Sequence, residues 1–360
     1  MIRKTRVVTV DPESPDPTVI EEAAAALRSG QLVVFPTETV YGLGANALDP
    51  VAVSQIFEAK ERPATDPLIV HLAHIGQVSL CATQMPPDAR KLGLAFWAGP
   101  LTLILPKKPA VPDVVTAGLE SVALRVPANR VARALMEMCG VPVAAPSANR
   151  FSRPSPTAAA HVLADLDGRV DLIIDGGPTE IGLESTIVDF TVDPPVVMRP
   201  GGLSLERLQE VIPGIRLASG KASPDVAQVA PGQLQRHYAP RATLTLYRGA
   251  PADQVARVGA DVRTAAAQGV RVGILAPEED LRALAPDIAA LAAAGRVEAR
   301  PYGSRHEPAR AAHELFAALR DVDATGVTVI FATSLDASGL GLALFDRLER
   351  AAEGRVKGSQ

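Results

Sequence analysis

Residues 60–71 read KERPATDPLIVH, and within that stretch a helix ends, a turn is set and a buried strand begins. The helix is expected near residues 50–60, and Pro63 prevents it from continuing. LIVHLA, at 68–73, then reads as an apolar strand. Lys60 and Arg62 fall on alternate positions of the break between them. Further on, the apolar run VPVAAP (141–146) ends in the small-residue turn APSAN (145–149), which carries Ser147 and Asn149. Two cations two residues apart, with a Ser-x-Asn turn after a strand, suit an enzyme that handles a polyphosphate without a P-loop.

Working outward, TVIEEAAAALRS (18–29) is an amphipathic helix ended by Gly30, and QLVVFP (31–36) is a buried strand. TETVYGLGANA reads as a glycine-bearing turn leading into the 50–60 helix. LTLILP (101–106), VALRVP (122–127), LIIDGG (172–177), STIVDF (185–190) and VVMRPG (196–201) are short β-rich runs, with helices near 130–139 and 157–166. Such a mixture predicts an α/β domain with a twisted mixed sheet, occupying residues 1–212. Residues 213–241 lack periodicity and read as a linker. From 242 to 360 strands and helices alternate strictly, which predicts a small Rossmann-like parallel α/β domain. It has no G-x-G-x-x-G after its first strand, so a dinucleotide site is not expected.

The 360 residues are 47% hydrophobic and 21% charged, enough for sizeable cores. No apolar stretch approaches the ~20 residues needed to span a bilayer. The N-terminus has no signal-peptide apolar core, so a cytoplasmic location is expected. Cys81 and Cys139 are too few for a disulfide framework and read as buried thiols. Net charge is −4 and aromatics are 4%, with no basic run, which argues against stable direct nucleic-acid binding.

No Walker motif exists: Gly220-Lys221 is followed by Ala222. A nucleotide site must therefore rest on side-chain cations and hydroxyls. Lys60, Arg62, Arg125 and Arg199 each sit at the edge of a strand-like run; Arg offers a fork to phosphate or carboxylate and Lys a point charge. PTETVYGLG (36–44) adds hydroxyls at Thr37 and Thr39, and glycines that let the backbone approach a ligand. RFSRPSPT (150–157) supplies Ser155, and ESTIVD (184–189) supplies Ser185. His71-x-x-His74 has no further ligand at metal spacing, which leaves His71 as a core residue or a substrate contact. His237 lies in a loop, free to fold over a site, whereas His306 and His313 fall on a helical segment.

Together these strings resemble the YrdC-like fold, and specifically the two-domain threonylcarbamoyl-AMP synthases. PTETVYGLGA, Lys-x-Arg-Pro-x-x-x-Pro-Leu-x-x-His, the Arg125 strand, APSAN with RPSPT, ESTIVD, RPG, RHYAP and GLGLALFDRLERAA carry the resemblance over nearly the whole chain. It implies a nucleotidyltransferase that makes threonylcarbamoyl-AMP and pyrophosphate from L-threonine, bicarbonate or CO₂, and ATP with Mg²⁺. The adenylate would pass to a separate tRNA threonylcarbamoyltransferase that modifies the adenosine beside the anticodon. Lys60, Arg62, Asp66, Ser121, Ser147, Asn149, Ser155, Arg199, His237 and Tyr238 match ATP contacts, with Lys60 and Arg62 catalytic. Thr37 or Thr39, His71, Arg125, the backbone at Ala145, and Ser185 match the L-threonine pocket. Two positions depart from the pattern: Asp66 and Asp346 stand where Asn is usual. The rivals are an RNA-binding module on the same core, against which the charge balance speaks, and a carbamoyl-phosphate-dependent carbamoyltransferase. Relatives of that last kind are longer and carry cysteine-rich zinc modules, whereas this chain has two cysteines.

Overall fold

The computed structural model describes residues 3–218, 228, 230–232 and 237–358. Residues 219–227, 229 and 233–236 of the expected linker lie outside the described residues. The chain divides into two compact units, Met1–Phe151 with Ser155–Leu234, and Ser152–Pro154 with Gln235–Gln360.

Among the described residues of the first unit, eleven strands form one mixed sheet. They are β1 (Arg6–Thr9), β2 (Val33–Phe35), β3 (Gly42–Asn46), β4 (Ile69–His71), β5 (Leu101–Pro106) and β6 (Ser121–Arg125). β7 (Val143–Ala144), β8 (Leu172–Asp175), β9 (Thr186–Asp189), β10 (Val196–Arg199) and β11 (Arg216–Leu217) complete it. The strand order is β1-β8-β2-β3-β7-β4-β6-β5-β9-β10-β11. Helices α1 (Pro17–Arg28), α2 (Pro50–Lys60), α3 (Val78–Cys81), α4 (Pro87–Phe96), α5 (Asp113–Thr116), α6 (Arg130–Cys139), α7 (Ala159–Leu166) and α8 (Leu205–Val211) intervene.

The boundary of α2 follows local chemistry. Asp49 caps it by accepting from Val51 N and Ala52 N, and Pro50 occupies the first turn, where no amide hydrogen is needed. At the far end Glu61 adopts φ 56°, a left-handed stop that delivers Arg62 and Pro63 into the turn before β4. Lys60 is thus the last residue of α2 rather than a turn residue.

The reading of PTETVYGLG as a turn is corrected: its glycines lie in β3, paired antiparallel to β2 with Gly44 opposite Val33 and Gly42 opposite Phe35. A Cβ on Gly44 would stand 2.8 Å from the Phe35 ring, 3.0 Å from Val143 Cγ1 and 3.1 Å from Val33 O. The glycine therefore makes room for a neighbouring strand's aromatic ring, not for a ligand. Low β-propensity conceals such strands, because packing and not backbone preference selects the residue. β1 was likewise unread, as its four residues are mostly exposed and form the sheet edge beside β8.

In the second unit β12 (Thr243–Tyr247), β13 (Val272–Ala276), β14 (Val297–Pro301), β15 (Val329–Thr333) and β16 (Val356–Lys357) form a sheet in the order β14-β13-β15-β12-β16. Every pairing in it is parallel. Helices α9 (Pro251–Ala267), α10 (Glu278–Ala293), α11 (Pro308–Ala324) and α12 (Leu340–Ala351) connect the strands. α11 buries Ala311, Ala312, Leu315, Phe316, Leu319 and Val322, the i, i+3/i+4 stripe of a helix laid on a sheet. His306 lies in the turn before α11, not on the helix itself. Asp346 pairs with Arg347 at 2.6 Å and Arg350 at 2.9 Å. Arg347 in turn lies over the Tyr238 ring, 5.2 Å from its centroid. Both cysteines are free and buried, and burial pushes the Cys81 thiol up to about 11.

Candidate active site

The site grows from the register of five adjacent strands. Side chains alternate across a sheet, so residues paired in register share a face. His71 on β4 pairs with Arg125 on β6, Arg125 with Thr102 on β5, Thr102 with Ile187 on β9, and Ile187 with Arg199 on β10. Ser185, two residues before Ile187, adds its hydroxyl to the same row, 2.8 Å from Thr102 Oγ1. The other face of these strands presents Val70, Leu124, Leu103, Val188 and Val197 to the main core. One face is hydrocarbon; the other carries a transverse polar row. Beside that row Ile69, Ile104, Ala123 and Ile187 form an apolar strip on which Ala230 packs.

The two strings that opened the sequence reading meet at one end of this row. Lys60, 1% exposed, donates from Nζ to Ser147 O and Asn149 O, each at 2.5 Å. The end of α2 therefore holds the APSAN turn by its carbonyls. Asn149 Nδ2 donates to Arg150 O at 2.8 Å, and Ser155 Oγ donates to the buried Glu184 Oε1. The backbone of Ala145 donates to Ile69 O at 2.9 Å, tying this turn to β4. Arg62 donates to Asp66 O at 3.1 Å and Pro67 O at 2.8 Å, and its Nη2 lies 3.0 Å from Asp66 Oδ2. Burial raises the fully enclosed Asp66 carboxyl; Arg62, the Gly232 amide, Lys60 and Arg199 pull the other way. Arg199 donates to Ser185 O and Oγ and, from Nη1, to Pro231 O at 3.1 Å. Gln228 N donates to Thr65 O, so the described linker residues of this unit lie against the cation cluster.

Capacity left over distinguishes a second set of groups, on β4, on β6 and in the turn after β2. Thr37 donates its hydroxyl to Val40 O at 2.7 Å and accepts amides from Thr39 and Val40. Thr39 must then be the donor in the 2.8 Å contact between the two hydroxyls, leaving Thr39 Oγ1 lone pairs to accept. His71 Nδ1 is buried without a hydrogen-bond partner. Burial, reinforced by the Arg125 charge, holds this imidazole at about 3, so it is neutral at pH 7. Arg125 donates from Nη2 to Glu38 Oε1 at 2.6 Å and from Nε to Gly99 O at 3.3 Å. Its Nη1 has no hydrogen-bond partner among the described residues. One cationic donor edge and two acceptors with capacity to spare are the kinds of group a zwitterionic amino acid requires.

Three further expected residues lie at a distance along the chain or in the other unit. Ser121 begins β6, four residues and about 13 Å of strand before Arg125. His237 and Tyr238 belong to the second unit, where Tyr238 is fully buried at 5.3 Å from the Phe316 ring. Sequence reasoning missed Glu38, Thr102 and Glu184. Thr102 carried a signal, since a lone polar side chain inside the apolar run LTLILP must find a partner when buried, whereas Glu38 and Glu184 stand among other polar residues and carried none. Among the described residues no group of three or more His, Cys, Asp or Glu could hold a metal ion, and no helix is long and apolar enough to cross a membrane.

Comparison with known proteins gives consistent matches. A family model described as telomere recombination matches residues 25–201, and one described as the threonylcarbamoyl-AMP synthase C-terminal domain matches residues 203–353. The chain is 46% identical over 344 residues to the threonylcarbamoyl-AMP synthase of Pyrococcus abyssi, covering 94% of this chain and 95% of that one. It is 44% identical over 350 residues to the Bacillus subtilis threonylcarbamoyl-AMP synthase, covering 97% of each. Its fold matches the crystal structure of P. abyssi Sua5 complexed with L-threonine, with a TM-score of 0.88, 43% identity and 98% of each chain covered.

Proposed function

The chain belongs to the threonylcarbamoyl-AMP synthase family, and we propose on that premise how its residues make threonylcarbamoyl-AMP from L-threonine, bicarbonate or CO₂, and ATP. The observation that carries the reading is the polar row His71–Arg125–Thr102–Ser185–Arg199, continued by the Lys60 and Arg62 cluster. Arg125 Nη1 takes the amino acid carboxylate. Thr39 Oγ1 and the neutral His71 Nδ1 accept from its amino group or hydroxyl. The amine adds to CO₂ with loss of a proton, and a carbamate oxygen then attacks the α-phosphorus. The new O–P bond forms as the bond to the β-phosphate oxygen breaks, and pyrophosphate leaves.

No side-chain nucleophile is needed; positioning and charge carry the step. Lys60, Arg62 and Arg199 would offset charge on the phosphoryl oxygens, and Lys60 also fixes the turn bearing Ser147 and Asn149. Mg²⁺ arriving with the nucleotide would neutralise phosphate charge beside these cations. The linker residues that lie against the cation cluster, Gln228 and Pro231, would help to enclose the carbamate, which loses CO₂ readily in water. A separate tRNA-modifying transferase would consume the adenylate. The test is to incubate the purified chain with ATP, L-threonine, bicarbonate and Mg²⁺. Pyrophosphate release is expected to require both the amino acid and bicarbonate; release without either refutes the reading.

A further inference from the structure

We propose that Glu38 is the positioning residue that aims Arg125 and so sets the affinity for the amino acid carboxylate. Glu38 is the acid in PTETVYGLG that neither the nucleotide nor the amino acid reading uses. It is 2% exposed, and both its oxygens are engaged: Oε1 with Arg125 Nη2 at 2.6 Å, Oε2 with Ala128 N at 3.0 Å. Its backbone carbonyl accepts from Ile181 N at 2.7 Å, so the main chain that carries this side chain is anchored as well. With Gly99 O on Nε, one side of the guanidinium is pinned and Nη1 is left pointing away from these partners.

A buried Arg with a single polar neighbour would swing among rotamers and lose part of its binding free energy to ordering. Glu38 removes that freedom before the substrate arrives. It also gives the buried Arg125 a counter-charge, so an isolated cation is not left beside the neutral His71. With one oxygen on Arg125 and the other on the Ala128 amide, the carboxylate is aimed at the guanidinium and at the chain that follows β6. It acts through Arg125 alone.

This inference rests on the amino acid reading of the site, and its test separates the two. Glu38→Gln keeps the shape and removes the charge; Glu38→Asp keeps the charge and withdraws it by one methylene. Steady-state pyrophosphate release is measured for both, with L-threonine and ATP varied in turn. The KM for L-threonine is expected to rise about 10- to 100-fold, the size of one aligned charged hydrogen bond, while the KM for ATP stays within about twofold. Arg125→Lys combined with Glu38→Gln is expected to lose no more than the worse single variant. An unchanged KM for L-threonine in Glu38→Asp, a parallel rise in both KM values, or multiplying losses in the double variant would each overturn the role. Wild-type pyrophosphate release that ignores L-threonine would overturn the amino acid reading, and this inference with it.

Discussion

Two buried arginine–carboxylate clusters, one in each α/β unit, are completed in different ways. In the second, Asp280 accepts from Arg305 Nε at 2.7 Å, from Arg305 Nη2 at 2.6 Å and from Thr333 Oγ1 at 2.6 Å, while Arg305 Nη1 donates to Ser334 O. That set closes on itself. In the first, Arg125 keeps Nη1, His71 keeps Nδ1 and Thr39 keeps its lone pairs, although all three residues are buried. Burying polar groups costs free energy unless they are paired, so leftover capacity beneath the surface marks a place kept for something absent. Residue type does not separate the two regions, since each uses arginine, carboxylate and hydroxyl.

The largest expected contrast is in stability. Arg305→Ala strands the Asp280 carboxylate and should cost the second unit about 3–5 kcal/mol, read by denaturant unfolding, with turnover per folded molecule nearly unchanged. Equal loss of turnover there would erase the distinction between closed and open sets. Next come Lys60→Ala and Arg62→Ala, which should lower turnover by on the order of 10²-fold or more. Wild-type-like adenylate formation in either would break the assignment of that cluster. Gly44→Ala should destabilise the first unit by about 1–3 kcal/mol through its clash with Phe35, and shortening that ring to Leu should restore part of it.

The smallest effect is on pH dependence. The folded His71 stays neutral down to about 3, whereas the unfolded residue protonates near its ordinary value. Below roughly pH 6.5 the unfolded chain therefore binds a proton that the folded chain refuses, and stability falls with pH from there toward about 3. His71→Gln should flatten that part of the unfolding profile. The KM for L-threonine should show no imidazole inflection between pH 6 and 8 in the wild type. Such an inflection, lost in His71→Gln, would show that the ring titrates and is not a fixed acceptor.

Most of the architecture was legible. Apolar runs of strand length, a proline after α2 and strict alternation beyond residue 242 are local signals, and they placed most strands and helices. β3 was not legible, because a glycine chosen to admit Phe35 carries no strand propensity. Neither was the choice between Thr37 and Thr39. Two hydroxyls two residues apart look alike until the Val40 carbonyl claims one hydrogen.

Residue types and their order along the chain determined by themselves where helices stop, which runs must be buried and which cations and hydroxyls were available. Only the tertiary structure decided that Lys60 meets the Ser147 turn, that Glu38 holds Arg125, and which donor edges stay open. The reason is physical: propensity and periodicity act over a few neighbours, whereas strand register pairs residues as far apart in the chain as Arg6 and Leu172. A hydrogen-bonding group's remaining capacity is defined only once all its neighbours are in place.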